Sequence, residues 1–421
     1  MYSTIVPIWF LFAGIALIML GSGLQGTLIG VRATTEGFLT VETGLVMSAY
    51  YLGFLFGSKF APRIVQRVGH IRTFGALASV ASATVLIHAV FANPAVWMLI
   101  RVASGFCFAG LTVVTESWLN HLSTNIIRGR LFSIYMVVQL SGLAGGQFLL
   151  NLADPGGYDL FILISVLISF SVVPLLLTSN PGPVVTEYSK IQIRKLYNIS
   201  PLGVVGTFGV GIANGAFLGM GAVYAQMSGF SPNQVAEFMA TLILGGVVLQ
   251  WPIGRLSDHV DRRTVLTGVT FLAAVAALLC NGLGAGSPRS LFIFSFVLGG
   301  LSLSLYSLCV AHLNDHLKPE QMVMGSSGLT FVAGIGALLG PFTVSGMMNW
   351  MGPDGFFLYL FLIHALIGVF AFYRMLSREP VPVEDQTPYV PLTTKVAPAT
   401  AALVVESVVS DAGENEDRLD G

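Results

Sequence analysis

Charge is what this sequence has least of. Only 10% of its 421 residues are Asp, Glu, Lys or Arg, against roughly 25% in an average soluble domain. A water-soluble globule of this length could not clothe its surface with so few ionised groups, so two or three soluble domains are excluded despite the length. Twenty basic residues against 21 acidic ones leave a net charge of −1, without the basic excess of a nucleic-acid binder. Cysteine is scarce as well. Cys107, Cys280 and Cys309 are odd in number, far apart and set in apolar runs, so they form neither a disulfide framework nor a metal ligand set. No Gly-Lys pair occurs, which removes the phosphate-binding loop of nucleotide hydrolases.

What the chain has is hydrophobic length. Apolar residues make up 54% of it, with 29 phenylalanines and 48 glycines. Runs long enough to cross a bilayer, which takes about 20 residues as a helix, recur at 6–30, 42–62, 73–92, 95–119, 131–152, 159–178, 201–226, 233–254, 264–284, 290–312, 323–349 and 356–375. No alternating strand pattern competes with them. The first run is read as a retained span rather than a cleaved signal, because residues 1–4 carry no positive side chain and the run outlasts a signal core. An all-α membrane protein with twelve transmembrane helices is predicted.

The few basic residues orient it. Lys59, Arg63, Arg67, Arg72, Arg128, Arg130, Lys190, Arg194, Lys195, Arg255, Arg262, Arg263, Lys318, Arg374 and Arg378 fall on one side, and only Arg32 and Arg289 on the other. Fifteen against two puts the first side, and both termini, in the cytoplasm. A 192-residue offset then superposes the halves: Gly37-Phe38 on Gly229-Phe230, Met47 on Met239, Leu52-Gly53 on Leu244-Gly245, Gly23 on Gly215 and Ser22 on Asn214. Two six-span bundles related by an axis along the membrane normal hold a substrate site at the midplane between them. The expected division is an N-terminal bundle (1–179), a cytoplasmic linker (180–200), a C-terminal bundle (201–378) and an acidic tail (379–421) expected to be disordered. The tail carries nine acids and two bases, so the neutral total conceals a basic body and an acidic end.

Gly254-Arg255-Leu256-Ser257-Asp258-His259-Val260-Asp261-Arg262-Arg263, closing span 8, resembles the signature loop of the major facilitator superfamily, departing from it at Asp261 where glycine is usual. Arg101-Val102-Ala103-Ser104-Gly105 and Gly334-Ile335-Gly336-Ala337-Leu338-Leu339-Gly340-Pro341 resemble its span-4 and span-11 motifs. Val113-Val114-Thr115-Glu116-Ser117, Arg128-Gly129-Arg130 and Gln250-Trp251-Pro252-Ile253-Gly254-Arg255 are similar to the bacterial YcaD-type branch. The resemblance covers residues 1 to about 378. It implies the major facilitator fold, in two pseudo-symmetric six-helix bundles, and secondary transport by alternating access. It also implies a gating contact in which Asp258 docks on the start of span 5, beside Arg128 and Arg130, when the cytoplasmic side is closed. Applied to the first half, the offset puts Gln66 where Asp258 stands in the second, so its matching gate lacks a carboxylate.

Ionisable groups inside a span are functional candidates. Arg101 lies about 9 Å into span 4 from its outer end by helical rise; substrate or proton coupling competes with snorkelling to the interface. Glu116, near the inner end, offers proton coupling against solvation or pairing with Arg128 or Arg130. Gln139 and Asn214 are the best candidates for substrate contacts, because an amide facing lipid is costly. Tyr50 and Tyr306 are further candidates near span centres. Glu42 and Glu237 sit in first turns, where the helix dipole suffices to explain them. His312 and His316 stand four residues apart, but at a span end, and the solvated reading is preferred to a metal site. No catalytic constellation and no cofactor motif appears. The expected function is a multi-pass secondary transporter of the cell membrane, a monomer moving a small solute, with protons as the expected coupling ion. Facilitated uniport and efflux of amphipathic compounds are alternatives within that class, and a non-transporting sensor or scaffold lies outside it.

Overall fold

Each half begins with the same turn. Gly37 and Gly229 adopt φ of 78° and 80°, left-handed values that glycine reaches without a Cβ clash. In each case the glycine N–H returns to the carbonyl three residues back, and the following phenylalanine N–H to that five back: Gly37 to Thr34 and Phe38 to Ala33, Gly229 to Gln226 and Phe230 to Ala225. This helix-ending motif gives the 192-residue offset a structural meaning.

The computed structural model describes residues 2–123, 125–176, 192–282, 284, 287–318 and 321–392. Among them are thirteen α-helices: α1 Tyr2–Thr35, α2 Thr40–Val68, α3 His70–Val90, α4 Pro94–Leu122, α5 Asn125–Phe148, α6 Asp159–Leu176, α7 Ile193–Ile199, α8 Pro201–Met227, α9 Pro232–His259, α10 Arg262–Gly282, α11 Pro288–Asn314, α12 Met322–Met351 and α13 Gly355–Ser377. No strand occurs among the described residues. Proline opens α4, α8, α9 and α11, where its missing N–H costs nothing. Asn93, Ser200 and Ser231 cap three of these starts, and such a cap stabilises by about 1 kcal/mol.

The twelve long helices coincide with the twelve expected spans. Eleven are long and apolar enough to cross a membrane. The twelfth, α2, carries Glu42, Lys59, Arg63 and Arg67 and lies between α4 and α12. Large apolar side chains such as Phe170, Trp251, Leu272, Trp350 and Leu366 are exposed, on an area that only lipid tolerates. The expected linker is described from residue 192 onward, where α7 lays Leu196 against Gly328 of α12.

Within each half, glycine allows the same close crossing. A Cβ on Gly53 would collide with the Val102 carbonyl of α4, and one on Gly245 with the Phe296 carbonyl of α11. Thus α2–α4 and α9–α11 are equivalent pairs. The halves join along α2 with α12, α5 with α9, and α1 and α2 with α8. No comparable seam links α4 to α11 among the described residues.

Candidate functional site

The cross-half seams close the molecule at the face away from the basic loops, here called the neutral face. At Gly44 of α2, an added Cβ would fall 2.7 Å from the Pro341 carbonyl oxygen of α12. Asn151, in a short 3-10 turn after α5, donates to Asn233 at the start of α9 (3.1 Å). Beneath this closure lies a cavity walled by both halves: Met19, Ser22, Tyr50, Phe54, Phe108, Gln139 and Leu140 from one, Asn214, Leu218, Ile243, Gln250 and Leu303 from the other. A second, smaller chamber shares Ser22, Tyr50, Leu143, Leu218 and Ile243 with it and reaches Arg101, Gln25 and Gln147. The first chamber is mostly apolar; the second has most of the polar groups.

Arg101 does not snorkel. It is 5% exposed, with its guanidinium 4.5 Å from the centre of the Tyr50 ring, close enough for a cation–π contact. Its Nη2 lies 4.0 Å from the Met47 sulfur, and its Nε has no hydrogen-bond partner. Glu116 is fully buried. The Tyr135 hydroxyl donates to its Oε1 (2.8 Å), and Gln139 Nε2 donates to the same hydroxyl (2.5 Å). A buried carboxylate is thereby connected to the cavity wall through α5. Tyr135 escaped sequence reasoning because its partner is 19 residues away on another helix; its position four residues before Gln139 was the available signal.

Asn214 lines the cavity and accepts from Ser302 (3.3 Å), whose hydroxyl is also 3.0 Å from His364 Nε2. This joins α8, α11 and α13 through a histidine that had suggested no role. Tyr306 is not brought to the cavity: it is fully buried, with its hydroxyl 3.0 Å from that of Thr330 on α12. Glu42 accepts from the Leu39 N–H (2.9 Å) and Glu237 from Asn233 (2.7 Å), both local contacts. Of the described polar candidates, Tyr50, Gln139 and Asn214 therefore meet at the larger chamber and Arg101 at the adjoining one, with Tyr50 in both walls and Glu116 behind Gln139 through the Tyr135 hydroxyl.

The signature loop is organised differently from the expectation. Asp258 Oδ1 accepts from the Tyr389 N–H (2.8 Å) and from Arg262 Nη2 (3.3 Å), so its partners among the described residues are the tail and the first residue of α10. The side chains of Arg128 and Arg130 lie outside the described residues. Arg262, 1% exposed, is the hub: it reaches Asp315 (2.6 Å), Ser257 (3.0 Å) and the Thr387 carbonyl (2.6 Å). Arg263 donates to the Arg378 carbonyl (2.6 Å) and pairs with Asp261 (3.3 Å), the residue standing where the family has glycine. Tyr389 packs its ring on Gly254.

The tail expectation is corrected over 379–392. Polar anchors hold this segment: the Leu392 N–H donates to Ser307 Oγ (2.8 Å), and its carbonyl accepts from Gln250 (3.3 Å). Leu392 itself closes the basic side of the larger chamber. Residues 393–421, with the rest of the acidic charge, lie outside the described residues. Burial pushes the Tyr389 phenol up to about 12. It also raises the Asp315 carboxyl, with Arg262 and the Thr387 N–H and hydroxyl acting in the opposite sense.

A family profile described as Major Facilitator Superfamily matches residues 203–411, and one described as Sugar (and other) transporter matches 16–178. The chain belongs to the major facilitator superfamily. It is a transporter-family protein with multiple membrane spans. Among its relatives, an uncharacterized MFS-type transporter of Enterobacter sp. (strain 638) is 27% identical over 380 residues, covering 90% of this chain and 98% of the relative. The uncharacterized MFS-type transporter YcaD of Escherichia fergusonii is 28% identical over 347 residues, 82% of this chain and 90% of its own. Among solved structures, the nucleoside transporter NupG aligns with a TM-score of 0.73 at 14% identity, over 90% of this chain and all of that one. That likeness shows the fold.

Proposed function

We propose that this protein is a proton-coupled secondary transporter working by alternating access, with the cavity between its halves as the solute site. The observation that carries this reading is the cavity itself, walled by both halves and sealed toward the neutral face where α2 meets α12 and α5 meets α9. Taking the basic face as cytoplasmic, this arrangement is closed toward the outside, with Leu392 of the tail across the inner mouth. Rocking one bundle against the other would exchange the neutral-face seal for one between the basic ends.

Glu116 is assigned the proton. A fully buried carboxylate is stable when protonated, or when ionised with donors supplied, and Tyr135 supplies one. Gln139 carries the connection to the cavity wall, so solute binding there can alter the hydrogen bonding of the acid. The test is reconstitution into proteoliposomes with an internal pH dye and a broad solute library. Wild type is expected to acidify or alkalinise the lumen only when a solute is present. Glu116→Gln should abolish the proton signal while leaving solute exchange between preloaded and external pools, and Tyr135→Phe should shift the pH profile of uptake. Uptake that proceeds without proton movement would refute the coupling and leave facilitated uniport.

A further inference from the structure

We infer that the cavity takes a monoanionic organic solute, a carboxylate on an apolar body, with Arg101 as the anion-binding group. This rests on the transport reading and names its substrate class. An arginine guanidinium stays protonated under all ordinary conditions, and a buried charge is normally paired. Arg101 is 5% exposed, yet no carboxylate lies within ion-pair distance of it among the described residues. Its Nε is buried without a partner. Its neighbours are the Tyr50 face and a thioether, which is a weak acceptor. The group thus keeps donor capacity and charge unsatisfied while lining the polar chamber, which is continuous with the larger one.

The shape of the remaining space selects the rest of the molecule. The polar chamber at Arg101 opens through the shared walls Tyr50, Leu218 and Ile243 into the larger one, where Phe54, Phe108 and Leu303 predominate. A carboxylate on Arg101 would project its body into that apolar space. Among the described residues lining the two chambers Arg101 has no second cation beside it, which favours a monoanion over a phosphate dianion. A neutral polyhydroxylated solute would leave the guanidinium uncompensated and set its hydroxyls against phenylalanine.

The test uses the purified full-length protein, with unfolding followed by a maleimide dye. Hexanoate, benzoate and 3-phenylpropionate are compared with hexanol, benzyl alcohol and 3-phenylpropanol. Ligand binding raises the unfolding midpoint by mass action, so the carboxylates should raise it and the matched alcohols should not. Losing a charge-assisted hydrogen bond should weaken carboxylate binding about 10- to 100-fold in Arg101→Gln. Arg101→Lys, which keeps the charge but not the fork, should fall between. Without ligand, Arg101→Gln should unfold no earlier than the parent, because it removes an uncompensated charge. No carboxylate-dependent shift across the panel, alcohols equal to acids, or undiminished binding by Arg101→Gln would each overturn the inference. Carboxylate binding by a protein that moves no solute in proteoliposomes would overturn the transport reading and leave this site. Uptake of neutral solutes alone would do the reverse.

A second inference rests on the tail. The structure assigns residues 386–392 the role of a strap that holds the basic mouth of the cavity shut: Thr387 and Tyr389 engage Arg262 and Asp258 of the signature loop, and Leu392 forms part of the cavity wall. A gating carboxylate occupied by the tail is withheld from any partner in the other half. In the full chain, a cysteine replacing Leu303 on the cavity wall reports access from the basic face, the three native thiols being buried. Leu392→Glu and, separately, Tyr389→Pro, which deletes the N–H given to Asp258, should speed its labelling by a charged maleimide about tenfold or more. Labelling already fast in the parent, or unchanged in both variants while their folding is intact, overturns the strap.

Discussion

Arg262→Met should be the most damaging single change near the signature loop. The methionine retains much of the side-chain volume but none of the donors. It leaves Asp315, whose side chain is 2% exposed, without its cation, and withdraws donors from Ser257, Asp258 and the Thr387 carbonyl. Removing one partner of a buried pair costs about 3–5 kcal/mol. The Thr387 N–H and hydroxyl still donate to Asp315 (2.9 and 2.8 Å), which argues for the lower end, about 3 kcal/mol. With about 2–4 °C per kcal/mol for a unit of roughly 200 residues, the unfolding midpoint should drop by about 6–12 °C. The assay is built into the chain: Cys107, Cys280 and Cys309 are free and buried, so a fluorogenic maleimide reports opening of either half. Asp258→Asn is the control, since that side chain is 35% exposed and an exposed pair contributes about 1 kcal/mol or less. Arg262→Met with Asp315→Leu should recover most of the loss, because both charges leave together. If Arg262→Met unfolds within about 1 kcal/mol of the parent, or the double variant is worse than the single, the hub argument is wrong.

Three further outcomes follow from the geometry. Gly245→Val, pressing a side chain onto the Phe296 carbonyl, should cost about 1–3 kcal/mol or more by overpacking, and the same change at the symmetry-related Gly53 should behave alike; harmless substitution at both would contradict the close crossings. Gly44→Val should weaken the neutral-face closure against Pro341 and Ser345, lengthening spin-label distances between the neutral-face ends of α2 and α12, and unchanged distances would count against that seam. His316, in the turn after α11, has its pKa lowered chiefly by burial. The folded state therefore disfavours its protonation, and stability is lost as pH falls below the unfolded value of about 6.5 toward the folded one. Arg263, Arg374, Arg378 and His312 face it in the same recess, with Asp315 beside it. The midpoint difference between His316→Asn and the parent should thus grow in the variant's favour from pH 7.5 to pH 5; a constant difference sinks the argument.

How far the chain could be read in advance depends on distance along it. The twelve spans were legible because apolar length is local, and the repeat because Gly37-Phe38 and Gly229-Phe230 build a turn from residues in contact with near neighbours. Arg101, Gln139 and Asn214 were legible as polar groups in apolar helices. Tyr306 was legible by the same rule, but position along a helix does not say which neighbour covers the hydroxyl, here Thr330. Residues 379–392 read as an unstructured acidic end, since composition cannot register that Tyr389 meets Asp258 131 residues away.

The sequence by itself therefore determined the solvent and the plan of this protein. Scarce charge put it in a membrane, the distribution of Lys and Arg gave an orientation to expect, and the 192-residue offset pointed to a repeat that the turns at Gly37 and Gly229 share. Only the tertiary structure decided which polar groups share a cavity, that Glu116 reaches it through Tyr135, and that the signature loop holds its own tail. The physical reason is that span formation follows from hydrophobic transfer summed over neighbouring residues, whereas a site is assembled from single side chains on different helices. Their meeting depends on how glycine-lined faces pack, and that is a property of helix pairs rather than of any one segment.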